Sequence, residues 1–152
     1  MHSSDNPDRL ASRQFGWRAA LIGGGLLIGG DAFFGTLIFN LQLRLLLASG
    51  LSVNQAWAAI WANGVTFSPW WAIALLPQLA TACAGGYVSA QYGRGTSWVQ
   101  GAAAGACGLL FILVMRLNPT SASVPPLIDI ISTATPLLGG LAGGLIYARR
   151  GR

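Results

Sequence analysis

The sequence predicts an all-α membrane protein, a four-transmembrane-helix bundle with a short interfacial helix in the first outer loop. Three observations carry that expectation. Four apolar runs, at residues 17–40, 69–91, 98–117 and 126–148, are each long enough to cross a hydrocarbon core roughly 30 Å thick. Charged residues make up 9% of the chain and hydrophobic ones 53%, whereas soluble domains carry about 25% charge. The arginines sit at the ends of the apolar runs instead of within them.

One membrane domain accounts for residues 1–152. All nine basic residues are arginine, and the four acids are Asp5, Asp8, Asp31 and Asp129. The absence of Lys and Glu fits GC-rich, bacterial coding. The net charge of +5 does not point to nucleic acid, because its arginines mark helix ends. Seven of the nine (Arg9, Arg13, Arg18, Arg94, Arg149, Arg150 and Arg152) fall on one side of the expected topology, against Arg44 and Arg116 on the other. Cytoplasmic loops carry the Lys/Arg excess, so both termini are expected in the cytoplasm and the protein in the inner (cytoplasmic) membrane.

Residues 1–14 form a polar, flexible tail. With Asp5, Asp8, Arg9 and Arg13 ahead of a long apolar run, a cleaved signal peptide fits poorly and the first span is expected to be retained. That span holds one carboxylate, Asp31. At 100° per residue Ala20, Gly24, Ile28, Asp31, Gly35, Ile38 and Gln42 share a small and polar face, expected to meet protein and not lipid. Asn40, Gln42 and Arg44 mark its outer end, with the helix able to continue to Leu47. An arginine at such a place usually snorkels to the headgroups; a functional cation is the sharper alternative.

Residues 49–68 carry no charge, as an outer segment should. Ser52 and Gln55 have capping-box spacing, and Val53, Trp57, Ile60 and Trp61 share a face before the Asn63, Gly64 stop, so an interfacial helix is expected over 53–62. Trp57, Trp61, Trp70 and Trp71 would form an outer aromatic belt, with Trp17 and Trp98 anchoring the inner surface. Ligand stacking is the alternative for the outer tryptophans.

The second span opens with Ser68 as N-cap and Pro69 at the first helical position. Pro77 should bend it, with Gln78 available to satisfy freed backbone groups; such kinks are more often packed than part of a pathway. Ala80 with Ala84, and Ala82, Gly86 and Ala90, give it small-residue faces. A short link through Tyr92 and Arg94 makes spans two and three an antiparallel hairpin, with Ser97 and Gln100 as a second capping box. Gly101 and Gly105 offer a packing surface, and Cys83 and Cys107 come to similar depth as unbonded neighbours.

Residues 118–126 make the second outer loop. In the last span Asp129 lies in the first turn, where a cap is the commoner role for a carboxylate, and Pro136 sits near the middle. Gly139, Gly140, Gly143 and Gly144 form two overlapping G-x-x-x-G pairs, the most specific packing motif in the chain. Of the arginines, Arg116 is the more plausible partner for Asp31, because Arg44 lies about 220° round the same helix.

No phosphate loop, Ser/His/Asp set or Cys/His cluster is present, and the single histidine, His2, lies in the tail; no enzyme, metal or cofactor is expected. The run 85–105 (GGYVSAQYGRGTSWVQGAAAG) and the run 138–144 (LGGLAGG) resemble uncharacterised small four-helix bacterial membrane families with a glycine-rich hairpin and a glycine-rich last span. That resemblance implies the topology and no activity. Two functions follow as expectations. The first is a non-catalytic accessory, assembly or stabilising subunit, or a self-associating scaffold, with the bilayer and other membrane subunits or copies of itself as partners. The second is a minimal oligomeric transporter or channel centred on Asp31. Small multidrug exporters also have four spans and one acid in the first, but none of their other motif residues occurs here, so only the general plan is shared.

Overall fold

The computed structural model describes residues 16–64, 66–117 and 125–150. The expected tail and most of the second outer loop lie outside them. Among the described residues there are five helices and no strand: α1 (Trp17–Ala48), α2 (Val53–Gly64), α3 (Pro69–Tyr92), α4 (Ser97–Arg116) and α5 (Pro126–Arg150). Four of them, α1, α3, α4 and α5, are long and apolar enough to cross a membrane. α1 outruns the expected 17–40: its 32 residues reach about 48 Å, more than a hydrocarbon core requires.

Local chemistry sets the ends. α1 closes on a Schellman arrangement, in which the Leu51 N–H donates to the Leu46 carbonyl at 3.3 Å and the Gly50 N–H to the Leu47 carbonyl at 3.0 Å. Gly50 has φ +90°, a conformation that L side chains resist. The capping box of α2 forms, with the Ser52 N–H and hydroxyl both 2.9 Å from Gln55 Oε1. Ser68 caps α3 by accepting from the Trp71 N–H at 3.1 Å, with Pro69 in the first turn.

The α3–α4 hairpin is the centre of the bundle, and α1 and α5 both pack on it. Its interior is assembled from small and polar residues. Ala82, Gly86, Ser89, Gln100, Gly101, Ala104 and Gly140 are buried, while Leu21, Leu26, Phe33, Leu37, Leu110, Leu113 and Ile130 face outward. A water-soluble bundle has the opposite arrangement, because so much contiguous apolar surface does not survive in water. Close backbone packing over small residues is the source of cohesion that remains to helices wherever apolar surroundings remove the hydrophobic drive between them.

That packing is at backbone distance. A Cβ built at Gly86 would overlap the Gly140 carbonyl, one at Gly143 would overlap the Cys83 carbonyl, and one at Gly101 would overlap Gly140 from the other side. α5 therefore presents Gly139 and Gly143 to α3, and Gly144 to α4, with Gly140 touching both. Gly105 backs on Pro136, whose buried ring fills the seam instead of lining a passage. On the opposite side Gly23 meets Gly85, and Gly24 meets Cys107.

Several expectations are corrected. Gly35 is no helix contact: it is exposed and nothing lies within 4 Å of a Cβ there, because Trp70, Trp71 and α2 hold the outer half of α1 away from α3. The buried face of α1 is Ala19, Ala20, Gly23, Gly24 and Leu27, with Gln42 much farther out. Ala80 and Ala84 are exposed, while the Ala82, Gly86, Ala90 face of α3 packs, as does the adjoining face of Thr81, Gly85 and Ser89. α2 buries Ala56 completely and leaves Val53, Trp57 and Trp61 outward. The two cysteines are free and face different helices, Cys83 towards α5 and Cys107 towards α1.

Candidate functional site

The polar side chains divide into two groups, one at the end of the bundle that holds the α3–α4 turn, called the inner end as a label only, and one at the opposite, outer end. At the inner end, where α3 turns into α4, the second capping box does not form. Thr96 is the N-cap position and makes no side-chain cap bond. Gln100 instead turns away from its own helix start: its Nε2 donates to the Arg94 carbonyl at 2.7 Å, and the fully buried Ser89 donates its hydroxyl to the Gln100 carbonyl at 2.9 Å. Gln100 is 1% exposed, its Oε1 has no partner among the described residues, and it lies flush against Gly93. These bonds clasp the hairpin, a structural role that the capping-box spacing concealed. Nearby, Tyr87 and Tyr147 meet edge to face at 5.4 Å and the Arg150 guanidinium lies 5.9 Å from the Tyr87 ring centre.

At the outer end Arg116, in the last turn of α4, forms an ion pair with Asp129 in the first turn of α5, with one Nη1 to Oδ2 bond of 2.9 Å. This overturns the expectation that Arg116 is the partner of Asp31, and it gives Asp129 a partner on α4 in addition to its place in the first turn of α5. The cause is register: antiparallel neighbours bring the end of α4 beside the start of α5, while Asp31 sits about 21 Å along α1 from Trp17. Both members of the pair are about one third exposed, so the pair contributes little to stability, about 1 kcal/mol or less.

Asp31 is half-buried next to Gly30, which packs on Thr81, and it has no hydrogen bond or ion pair among the described residues. Arg44 is exposed on the outer turns of α1. Gln78 is half-buried and its side chain does not repair the helix around Pro77; its backbone carbonyl accepts from the Thr81 hydroxyl at 3.1 Å. Trp17 and Trp98 are exposed at the inner end, and Trp57 and Trp61 at the outer end. Trp57 also meets Phe39 at 4.9 Å.

Trp70 and Trp71 are less exposed than the other tryptophans because they wall a cleft. It lies between the outer half of α1, the end of α2 and the start of α3, and its other walls include Ile38, Phe39, Gln42 and Ile60. Sequence reasoning named Gln42, Trp70 and Trp71 separately; only the fold brings them together. Among the described residues no three His, Cys, Asp or Glu side chains are grouped as a metal site would require.

These features define a class, a multi-pass helical bundle closed by glycine seams. No particular family follows, since the chain matches no family model, no curated protein and no solved structure.

Proposed function

We propose that this is a non-catalytic integral protein of the bacterial inner membrane, with both termini cytoplasmic, that serves as an accessory or assembly subunit of a larger complex or as a self-associating scaffold. The observation that carries this reading is Asp31, half-buried in mid-span with no partner among the described residues. An acid at that depth costs about 2.5–3.5 kcal/mol on the insertion scale unless neutral, hydrated or paired, so a donor or cation on a neighbouring chain would complete it. The exposed outer half of α1, with Phe33, Phe34, Leu37 and Leu41, supplies apolar surface for that neighbour.

The topology rests on charge. Arg18, Arg94, Arg149 and Arg150 belong to one end of the bundle, opposite Arg44 and Arg116, which supports a cytoplasmic assignment for that end. The short α2 is then interfacial, lying at headgroup level with Trp57 and Trp61 outward. Against transport through a single chain stand the glycine seams, which bring backbones together where a passage would have to run.

Extraction of wild-type and Asp31→Leu protein from native membranes tests the proposal. Wild type is expected to come out with partner subunits or as an oligomer, and Asp31→Leu to lose them while keeping its helix content. Reconstituted wild type should pass no protons under a pH gradient. Proton flux in wild type that disappears in Asp31→Asn, with association unchanged, would establish the transporter reading instead.

A further inference from the structure

The cleft at the outer end has the features of a ligand site, and it is separate from Asp31. Its volume is about 210 Å³. Its walls are Ile38, Phe39, Ile60, Trp70, Trp71 and Ala74, with Gly35 and Gly64 giving room, and no charged residue among them. Two neutral polar side chains line it, Asn63 and Gln42, and Gln42 is 6% exposed and makes no side-chain hydrogen bond to any described residue. A ligand group that pairs with that amide is favoured over one of the same size that cannot.

Size, depth and polarity narrow the occupant. An α-helix with its side chains is about 10–12 Å across, too wide for this space, so a partner helix does not enter it. Pockets that enclose a whole drug-sized molecule run to roughly 300–1,000 Å³, so the cleft takes one part of a larger amphiphile. Gln42 stands about 37 Å along α1 from Trp17, beyond a hydrocarbon core of roughly 30 Å and within the interfacial layer. Ester carbonyls of lipids lie in that layer. With no charge in the walls, a phosphate would find no counter-ion, whereas a neutral carbonyl accepts from the Gln42 amide and its chain lies on Phe39, Trp70 and Trp71.

We propose that this cleft binds a neutral, carbonyl-bearing lipid moiety of the outer leaflet, with the carbonyl oxygen accepting from Gln42 Nε2 and the attached chain between the aromatic walls. An ester and a quinone share this chemistry. The full chain in detergent is titrated with a brominated monoacylglycerol ester while tryptophan fluorescence is read, then with the ether analogue that lacks the carbonyl. Saturable quenching by the ester is expected, about tenfold weaker for the ether and for the ester on Gln42→Leu, in keeping with one lost hydrogen bond. Gly35→Phe, which points a ring into open space in the cleft, should abolish the saturable component. Competition with a short-chain ubiquinone separates the sources: displacement below the concentration of unlabelled ester assigns the quinone, and displacement only above it assigns the ester. Equal binding of ester and ether to wild type would overturn the proposal without any variant. So would saturable quenching that survives Gly35→Phe.

Discussion

Replacing Gly143 by leucine is expected to lower the melting temperature in detergent by roughly 6–12 °C. The figure follows from about 3 kcal/mol for forcing a large side chain into a packed contact and about 2–4 °C per kcal/mol for a chain of this size. The direction follows from what the side chain would meet. A Cβ at Gly143 already overlaps the Cys83 carbonyl and comes within 2.7 Å of the Tyr87 nitrogen, both part of the α3 backbone, which has no rotamer to change. Relief requires α5 to separate from α3, and that separation would also pull Gly140 away from Gly86. Gly25 is the control. It is an exposed helix residue with nothing within 4 Å of a Cβ, so Gly25→Ala should leave the melting temperature unchanged or raise it slightly through the better helix propensity of alanine. Equal melting of wild type and Gly143→Leu would place this face of α5 against lipid.

The second large effect is expected at Gln100. Gln100→Ala removes the bond to the Arg94 carbonyl and leaves a cavity where the side chain is 1% exposed, at a cost of about 2–4 kcal/mol. Gln100→Met keeps most of the volume and loses only the hydrogen bond, and the orphaned Oε1 disappears with it, so the cost falls to about 1 kcal/mol. Thermal unfolding of the two variants should therefore rank wild type above methionine above alanine. Equal destabilisation by methionine and alanine would mean that hydrogen bonding, and not filling, holds the hairpin.

How far the sequence reached is clearest at the two Ser-x-x-Gln patterns. The same spacing occurs at Ser52 with Gln55 and at Ser97 with Gln100, and only the first forms a capping box. At α2 the helix start is exposed, and the glutamine has nothing better than its own backbone. At α4 the helix start abuts the end of α3, and the carbonyl of Arg94 competes successfully for the amide. Local pattern cannot weigh a partner that arrives through tertiary packing.

The spans themselves were legible because apolar length is a strong signal, and the glycines of α5 because their spacing repeats. Gly35 and Gly24 could not be distinguished in the same way. They share a helical face, yet one lies where α1 rests on the hairpin and the other where α2 and two tryptophans push α1 away. The Arg116 and Asp129 pair was hidden for a related reason: helical periodicity reports angle about an axis, and pairing across helices depends on height along it.

The facing glycines carry a consequence for how this protein can vary. Where Gly23 meets Gly85, and where Gly86 meets Gly140, both sides of the contact are already the smallest residue there is. A gain of volume on one side has no reciprocal loss available on the other, so these positions cannot exchange size as a pair. They should stand fixed in any set of related sequences and contribute no covariation, although they are among the closest approaches in the fold. Gly24 opposite Cys107, Gly30 opposite Thr81 and Gly139 opposite Ala82 are different, since each partner has side-chain atoms to give up. Correlated change should concentrate at those three pairs and be silent where glycine faces glycine.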